Sequence, residues 1–420
     1  MASVSRVKRC QSFSLKPCDT SISHALYDGR QIRLKGNKSM IKRIRSGFLC
    51  GLAAALTATA LSFFTYYRIV LPTDINIETG GSVSDTGFSP AYLKDTDNGA
   101  EYFLCNLPIK RAVVTERERR YVIPAGIPFG IKVMSDGVMV ISTAEGSPAR
   151  EAGLKEGDVI TSVNGAEVFT NSELSEAIQT SDGCVEIVYE RGESVISTDV
   201  DTTLTDGVQK IGAWVRDSAA GIGTLTFIDP ETGLFGGLGH PVSDPTTGMS
   251  VPLRSGEITS ASIYDIVKGE KGAAGELCGA ILPNSETGKL TNNTPTGIFG
   301  EYDCDKIGEI CGEAIPVAFR QEVKTGAASI LTTVDGCEPR EYSIEIERIN
   351  LPDLLGSKGM LIKITDPELL RQTGGIVRGM SGSPIIQDGR LAGAVTHVLL
   401  SDPMRGYAVF AESMLDSFRD

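Results

Sequence analysis

Histidine and tryptophan are scarce in this chain of 420 residues, which holds three histidines and one tryptophan. Because histidine is the most frequent general base in enzymes, few side chains can serve acid–base chemistry here. The nine cysteines include no Cys-X-X-Cys spacing and no other arrangement typical of a metal site. The sequence therefore predicts neither a metal centre nor a bound cofactor.

Charge is distributed unevenly along the chain, whose formal net charge is −13. Residues 1–68 hold 12 Lys and Arg against 2 Asp and Glu, which leaves 28 against 51 for the remainder. Such an asymmetry is typical of a basic cytoplasmic end joined to an acidic exported body. An acidic body also argues against nucleic acid as a partner.

One long apolar segment, Gly47–Tyr67, carries no formal charge over its 21 residues. Its length matches the roughly 20 residues that a helix needs to cross a bilayer. Lys42, Arg43 and Arg45 precede it and only Arg68 follows closely, so the positive-inside rule places the N-terminus in the cytoplasm. A cleaved signal peptide is the alternative. The segment predicts a membrane-anchored or exported protein with an extracytoplasmic body.

Composition also divides the chain into regions, and abundant glycine with short Val, Ile and Thr runs predicts a mainly β protein. Residues 1–46 form a basic tail, in which Met40 opens a second possible leader. The predicted regions after the tail are a transmembrane helix (47–67), a stalk with a small β region (68–123), a PDZ domain (124–205) and a serine peptidase domain (206–420).

The PDZ prediction rests on residues 146–165, Gly-Ser-Pro-Ala-Arg-Glu-Ala-Gly-Leu-Lys-Glu-Gly-Asp-Val-Ile-Thr-Ser-Val-Asn-Gly. They read as a short helix, a turn, a strand and a tight Asn-Gly turn. Residues 170–180 predict the amphipathic helix that lines the peptide groove. Phe129, Gly130 and Ile131 are predicted as the loop that caps a peptide carboxylate with backbone N–H groups. The alternative is that this loop closes the fold and binds nothing.

The peptidase prediction rests on residues 379–384, Gly-Met-Ser-Gly-Ser-Pro, which have the layout of a serine nucleophile turn in a trypsin-like β-barrel. Small neighbours would let a peptide approach the Ser381 hydroxyl. The N–H groups of Gly379 and Ser381 would form the oxyanion hole. A glycine-rich β-turn without chemistry is the alternative. The fold predicted for the C-terminal half is therefore a trypsin-like double β-barrel.

His240 is the predicted general base, because it lies in Phe-Gly-Gly-Leu-Gly-His-Pro-Val at a glycine-lined strand end that would open onto a cleft. It precedes Ser381 by 141 residues, which suits one catalytic residue on each barrel. His397 lies on an apolar strand and is predicted to be structural. His24 falls in the basic tail and is predicted to be inert.

The segment order and three motifs closely resemble the stage IV sporulation protein B peptidases of endospore-forming Firmicutes. The motifs are Gly-Leu-Gly-His-Pro-Val, Ile-Thr-Asp-Pro-Glu-Leu-Leu and Gly-Met-Ser-Gly-Ser-Pro, and the resemblance begins at about residue 47. It implies export from the forespore into the space between the two spore membranes. It also implies cleavage of the peptidase itself and of a membrane-bound regulator, which releases an intramembrane metalloprotease to process a sigma-factor precursor.

Four aspartates are candidates for the acidic member of the catalytic triad. The resemblance implies Asp366, whereas the residues alone also fit an N-cap at the start of a helix. Asp303 and Asp305 lie nearer the middle of the His–Ser interval, as in trypsin-like enzymes. Asp244, four residues after His240, is a local alternative, and a dyad without an acid is another.

Control of the enzyme is predicted to come from the PDZ domain. Met380 stands where trypsin has the aspartate that pairs with a freed N-terminus, so that mode of activation is absent. Two other function classes remain open: a PDZ scaffold with an inactive peptidase domain, and a quality-control protease similar to the HtrA type. Proteases of that type usually carry PDZ after the protease domain, whereas here it comes first.

Overall fold

The computed structural model describes residues 38–418, except for 82, 84–86, 89, 97–98, 311 and 350–355. The predicted tail before residue 38 lies outside the described residues. Strands dominate the fold, so the mainly β prediction is confirmed. The helices are α1 (Lys38–Val70), α2 (Pro148–Glu151), α3 (Asn171–Gln179), α4 (Pro367–Thr373) and α5 (Ala411–Asp416), with 3-10 helices at Cys304–Glu309 and Arg320–Glu322.

The N-terminal helix α1 contains the predicted apolar segment. Residues Ser46–Val70 are long and apolar enough to cross a membrane, by length and composition. Towards the end of the helix, Phe64 and Tyr67 pack against the core of a small sheet that follows. The last turns of the helix therefore belong to the same unit as this sheet.

The small N-terminal sheet occupies most of the region predicted as stalk and small β region. Its strands are β1 (Asp74–Glu78), β2 (Gly87–Phe88), β3 (Ala91–Thr96), β4 (Gly99–Leu104) and β5 (Leu107–Arg117). Their spatial order is β1-β5-β4-β3-β2. The sheet is tied to the C-terminal half by Asn76, whose side chain donates to Glu412 at 2.7 Å. Just after β5, the guanidinium of Arg119 also donates to the carboxylate of Glu322, through hydrogen bonds of 2.8 and 2.9 Å.

The central part of the chain forms a six-stranded barrel with the PDZ domain inserted into it. Barrel strands β7 and β14 each run for 16 residues and pair with one another along much of their length. This pairing closes the ring β7-β16-β17-β18-β15-β14. The strands outside the PDZ domain are β6 (Tyr121–Pro124), β7 (Pro128–Thr143), β14 (Ala213–Ile228), β15 (Leu234–Gly237), β16 (Leu253–Val267), β17 (Glu276–Thr294), β18 (Gly297–Tyr302) and β19 (Ile315–Pro316).

The PDZ domain lies between β7 and β14 in sequence and uses the far ends of both strands. Thr143 pairs with Ala213 and Val140 with Val215, beyond the part of each strand that belongs to the barrel. The capping box at Thr170 and Glu173 starts the predicted groove helix α3. The other strands of this region are β8 (Val159–Val163), β9 (Ala166–Glu167), β10 (Cys184–Arg191), β11 (Ser194–Asp201), β12 (Thr203–Thr205) and β13 (Val208–Lys210).

The predicted carboxylate loop at Phe129, Gly130 and Ile131 is wrong. These residues lie in the barrel part of β7, paired with β14 on one side and with β16 on the other. Phe129 and Ile131 are buried in the barrel core. A Cβ atom on Gly130 would lie 2.5 Å from Thr259 Oγ1, so the glycine permits close strand packing. Because both backbone edges are paired, no N–H row is available to a peptide here.

A second closed barrel makes up the C-terminal part, with strands in the order β20-β21-β22-β25-β24-β23. Its core is aliphatic and lined by the inward positions of each strand, such as Ile330, Ile344 and Ile362. The prediction of a double barrel is thereby confirmed. The strands are β20 (Gly326–Thr332), β21 (Arg340–Ile349), β22 (Met360–Ile364), β23 (Pro384–Gln387), β24 (Arg390–Val398) and β25 (Arg405–Phe410).

Candidate active site

Ser381 lies in a tight turn between α4 and β23, and two glycines give this turn its shape. Gly379 and Gly382 have φ angles of +94° and +96°, a region that side chains other than glycine rarely adopt. At Gly382 a Cβ atom would lie 1.9 Å from the carbonyl oxygen of Thr224 on the first barrel. The turn therefore sits directly against the neighbouring barrel, which only glycine allows.

Thr224, a buried residue of β14, holds the turn from the first barrel. Its hydroxyl donates to the carbonyl oxygen of Gly379 at 2.7 Å, and its N–H donates to the carbonyl oxygen of Ser381 at 3.0 Å. Sequence reasoning missed Thr224, because a threonine in an apolar strand carries no local signal. Its role becomes visible only when the two barrels meet.

The hydroxyls of the two serines in the turn have different surroundings. Ser381 Oγ donates to the carbonyl oxygen of Thr396 at 2.8 Å, on the rim of a cleft. Ser383 is fully buried, and its Oγ donates to Thr332 Oγ1 at 2.9 Å. Only Ser381 of the two can therefore meet a substrate.

His240 follows β15 on a segment that packs against the second barrel. Gly239 has a φ of +70°, and a Cβ atom there would lie 2.8 Å from Thr396 Cγ2. The His240 Nδ1 atom lies 2.8 Å from the carbonyl oxygen of Pro241. Because a carbonyl oxygen only accepts, this contact puts the proton on Nδ1 and leaves Nε2 as an acceptor.

The ring of His240 lies 5.3 Å, between centroids, from the ring of His397 on β24. Burial lowers the pKa of His240, although the hydrogen bond to Pro241 opposes this effect. Desolvation by nearby protein atoms also lowers the pKa of His397, with further contributions from His240 and Lys358, although this side chain is exposed at the surface. Both rings are thus neutral near pH 7, the state that a general base requires.

Ser381 and His240 line the same cleft, a cavity of about 510 Å³. The serine comes from the second barrel and the histidine from the first. Gly379 and Arg216 lie on its wall as well. Within the part of the chain that the structure describes, neither the N–H of Gly379 nor that of Ser381 has an acceptor.

Asp366 is engaged at the start of α4, and its role as the triad acid, implied by the resemblance, stays a prediction. Its Oδ1 accepts the N–H groups of Glu368 and Leu369 at 2.9 and 3.0 Å, as the N-cap of α4. Among the described residues, no hydrogen bond or ion pair joins it to His240. The N-cap interpretation of the residues is the one the geometry supports.

Two of the other three acids that the sequence raised, Asp303 and Asp244, are also engaged elsewhere. Asp303 caps the 3-10 helix that contains Asp305. Asp244 is 1% exposed, forms an ion pair with Arg216 and accepts the N–H groups of Thr246 and Thr247. Burial opposes ionisation of Asp244, but these amides and the guanidinium outweigh it and hold its pKa below the usual value.

The PDZ domain has a groove of about 350 Å³ between α3 and residues 209–215. Leu174 and Ile178 supply its apolar floor on the helix side, and Ile211 and Trp214 line the opposite side. This strand segment, and not the predicted loop in β7, is positioned to pair with a peptide. The sequence signal for it was Ile211-Gly212-Ala213, a small-residue stretch 82 positions after Phe129.

Comparison with known families agrees with this architecture. Residues 207–415 match the family model described as SpoIVB peptidase S55, and residues 139–191 match a PDZ domain model. The chain belongs to the SpoIVB peptidase S55 family. It carries a SpoIVB-type peptidase domain together with a PDZ domain. The family match confirms the resemblance drawn from the motifs.

Curated relatives of this S55 peptidase cover a short stretch. It is 41% identical over 66 residues to serine protease HTRA1 of Xenopus laevis and 36% identical to that of Xenopus tropicalis. The match covers 16% of this chain and 14% of either relative. The chain thus spans a small part of the curated relatives it matches.

Among solved structures, the PDZ domain of the SdrC-like protein from Listeria monocytogenes is 29% identical. The matched region covers 20% of this chain and 90% of the Listeria domain, with a TM-score of 0.19. The Rv3671c protease, in an inactive form, is 14% identical. The matched region covers 47% of this chain and 83% of the Rv3671c protease, with a TM-score of 0.27.

Within the described residues, no cluster of three or more His, Cys, Asp or Glu side chains could hold a metal ion.

Proposed function

We propose that this S55 peptidase is a membrane-anchored signalling endopeptidase that acts during sporulation. It cleaves itself and a membrane-bound regulator, and so triggers intramembrane processing of a sigma-factor precursor. The observation that carries the peptidase part is the cleft that brings Ser381 and His240 together from two barrels. The family membership and the apolar helix Ser46–Val70 support the signalling and membrane parts.

In the proposed mechanism, Ser381 attacks the scissile carbonyl. Its hydroxyl turns from the Thr396 carbonyl towards Nε2 of His240, which takes the proton and later gives it to the leaving amine. The Nδ1 contact with Pro241 orients the ring, in place of an acidic residue. The site then works as a Ser–His dyad with a backbone carbonyl as its third member.

The N–H groups of Gly379 and Ser381 are proposed to stabilise the negative charge that develops on the substrate oxygen. Their lack of an acceptor among the described residues supports this role, since a preorganised donor needs no rearrangement during the reaction. The bond from Thr224 holds the Gly379 carbonyl and thus keeps the turn in the required shape.

The substrate is proposed to bind as an added strand along β24. The register between β23 and β24 ends at Ala394, so His397 and Val398 have no strand partner on that edge among the described residues. Main-chain hydrogen bonds to an extended peptide would fix its position along this edge. The cleft wall then contacts its side chains.

The PDZ groove is proposed to take an apolar chain terminus, either of the membrane-bound regulator or of the peptidase itself. Leu174 and Ile178 offer an apolar pocket, and residues 211–215 offer a strand partner. Lys42, Arg43 and Arg45 before the apolar helix favour a cytoplasmic N-terminus. The body of the protein then lies outside the cytoplasm, in the space between the forespore membranes.

The test uses the full chain in lipid vesicles with a fluorophosphonate that labels active serines. Wild type is expected to take up the label and to release a shorter form of itself. Ser381→Ala is expected to do neither, while it keeps the circular dichroism spectrum of wild type. Candidate membrane regulators, added to the same vesicles, are expected to be cut by wild type alone.

Two outcomes contradict the proposal. A folded wild type that takes up no label and cuts nothing would be a PDZ scaffold with an inactive peptidase domain. A labelled enzyme that degrades unfolded casein as readily as it cuts any membrane regulator would be a quality-control protease.

A further inference from the structure

The pairing between β7 and β14 breaks at the point where the two strands pass from the barrel into the PDZ domain. Arg216 pairs with Met139, and the next pairing is between Ser218 and Met134. Asp217 between them has no partner on β7 in the described register. Consecutive side chains at such a break can leave the sheet in different directions.

Asp217 reaches the groove of the PDZ domain. Its Oδ2 accepts the N–H of Asn171 at 2.9 Å, and Asn171 is the first residue of α3. Asn171 also lines the groove. A carboxylate at a helix N-terminus is favourable, because it pairs with an N–H group that the helix itself leaves free. The position of the groove helix is thus tied to β14.

Arg216 reaches the loop of His240. Its guanidinium forms an ion pair with Asp244, whose side chain is 1% exposed and also accepts two backbone N–H groups of its own loop. Asp244 lies four residues after His240. Arg216 is partly exposed, but its loss would leave the buried Asp244 carboxylate without its counter-charge, so the ion pair couples the loop to β14.

The stem of this loop is held by three hydrogen bonds of one side chain. The side chain of Asn293 accepts the N–H of Val242 at 2.8 Å and donates to the carbonyl oxygens of Val242 and Val251 at 3.0 and 2.8 Å. These bonds resist bending of the loop at its stem. A displacement at Asp244 would therefore pass to the residues that carry the His240 ring.

We propose that Arg216 and Asp217 form the link through which a peptide in the PDZ groove positions His240. Trp214, which lines the groove, precedes Arg216 by two residues on the same strand. A peptide that shifts α3 moves Asp217, and Arg216 passes the change to Asp244 and the His240 loop. The inference rests on the proposed peptidase function and names the residues that would regulate it.

Because coupling between two sites is reciprocal, a ligand at the active site must change the groove helix. The full chain, labelled at Ser381 with diisopropyl fluorophosphate, is compared with unlabelled protein by amide hydrogen exchange. In wild type we expect exchange within Asn171–Gln179 to slow on labelling. In Arg216→Gln and in Asp217→Ala we expect the difference to disappear.

Matched variants separate the link from general damage. Asp217→Asn keeps an acceptor for the Asn171 N–H and is expected to restore most of the response that Asp217→Ala loses. Arg216→Lys keeps the charge opposite Asp244 and is expected to restore part of it. Glu257→Gln removes an exposed ion pair to Lys132 elsewhere on the same barrel and is expected to respond as wild type.

Kinetics with a short soluble peptide provide a second readout. Arg216→Gln is expected to lower kcat about tenfold with KM nearly unchanged, as for a positioning residue, whereas a purely structural loss would lower the active fraction alone. A labelled wild type whose α3 does not respond, or variants that respond as wild type does, overturn the link. A wild type that takes up no label overturns the proposed function, and this inference with it.

Discussion

The hydroxyl of Thr224 donates to the carbonyl oxygen of Gly379 at 2.7 Å and so joins the first barrel to the serine turn of the second. The bond depends on both barrels being present and correctly packed. It also fixes Gly379, one of the two residues of the turn whose N–H groups are proposed to face the substrate oxygen. The geometry of the oxyanion hole therefore depends on the contact between the barrels.

Thr224→Val should lower kcat by about 10²-fold with a small change in KM, because the turn loses its fixed position. Valine has nearly the same shape, so the core remains filled. The lost bond leaves a buried carbonyl without its donor and should reduce the free energy of unfolding by about 1–3 kcal/mol. Steady-state kinetics and urea unfolding measure both effects. Thr224→Ser, which keeps the hydroxyl, is the control, and equal losses in both variants would contradict the prediction.

Ser381→Ala should reduce kcat by about 10⁶-fold, since the nucleophile is lost. Ser383→Ala should instead reduce stability, because Ser383 is buried and bonded to Thr332. Active-site labelling and thermal unfolding distinguish the two variants. Near-normal turnover in Ser381→Ala would reassign the nucleophile.

The pH dependence of kcat/KM should show an acid limb set by His240. Below its pKa the ring is protonated and cannot accept the serine proton, so the rate falls as pH falls. Because burial lowers this pKa, the midpoint should lie below the ordinary histidine value of about 6.5. His240→Ala should remove activity, whereas His397→Gln should keep the limb. A limb that vanishes in His397→Gln would identify the other histidine as the base.

Asp366→Ala should lower the free energy of unfolding by about 1 kcal/mol, the usual value of an N-cap. Its kcat should stay within a few-fold of wild type, since no contact with His240 exists in the described residues. Chemical unfolding and peptide hydrolysis, measured on the same preparation, check both values. A loss of activity comparable to that of His240→Ala would restore Asp366 as the triad acid.

The residues that the sequence located best are those whose chemistry is local. Gly379, Ser381 and His240 lie in short glycine-rich motifs, because a reactive side chain at a close backbone approach requires small neighbours. The structure brings these residues to one cleft. The PDZ helix α3 was likewise readable from its cap and its apolar spacing.

The residues that the sequence missed or misplaced depend on long-range pairing. Phe129 and Gly130 fit a carboxylate loop until β14 and β16, about 90 and 130 residues further along, pair with them. Thr224, Arg216 and Asn293 act through partners far away in sequence. No local pattern distinguishes such residues from ordinary strand or loop positions.

The insertion of the PDZ domain between β7 and β14 has a consequence for the order of folding. Closing a hairpin across the chain from Thr143 to Ala213 costs conformational entropy that grows with the length of the loop. A PDZ domain that folds first shortens this loop in effect, because it holds Thr143 and Ala213 in register before the barrel exists. The inserted domain would then nucleate the β7–β14 pair that closes the barrel. Deleting the PDZ domain should therefore slow the appearance of active enzyme, beyond the loss of a binding module.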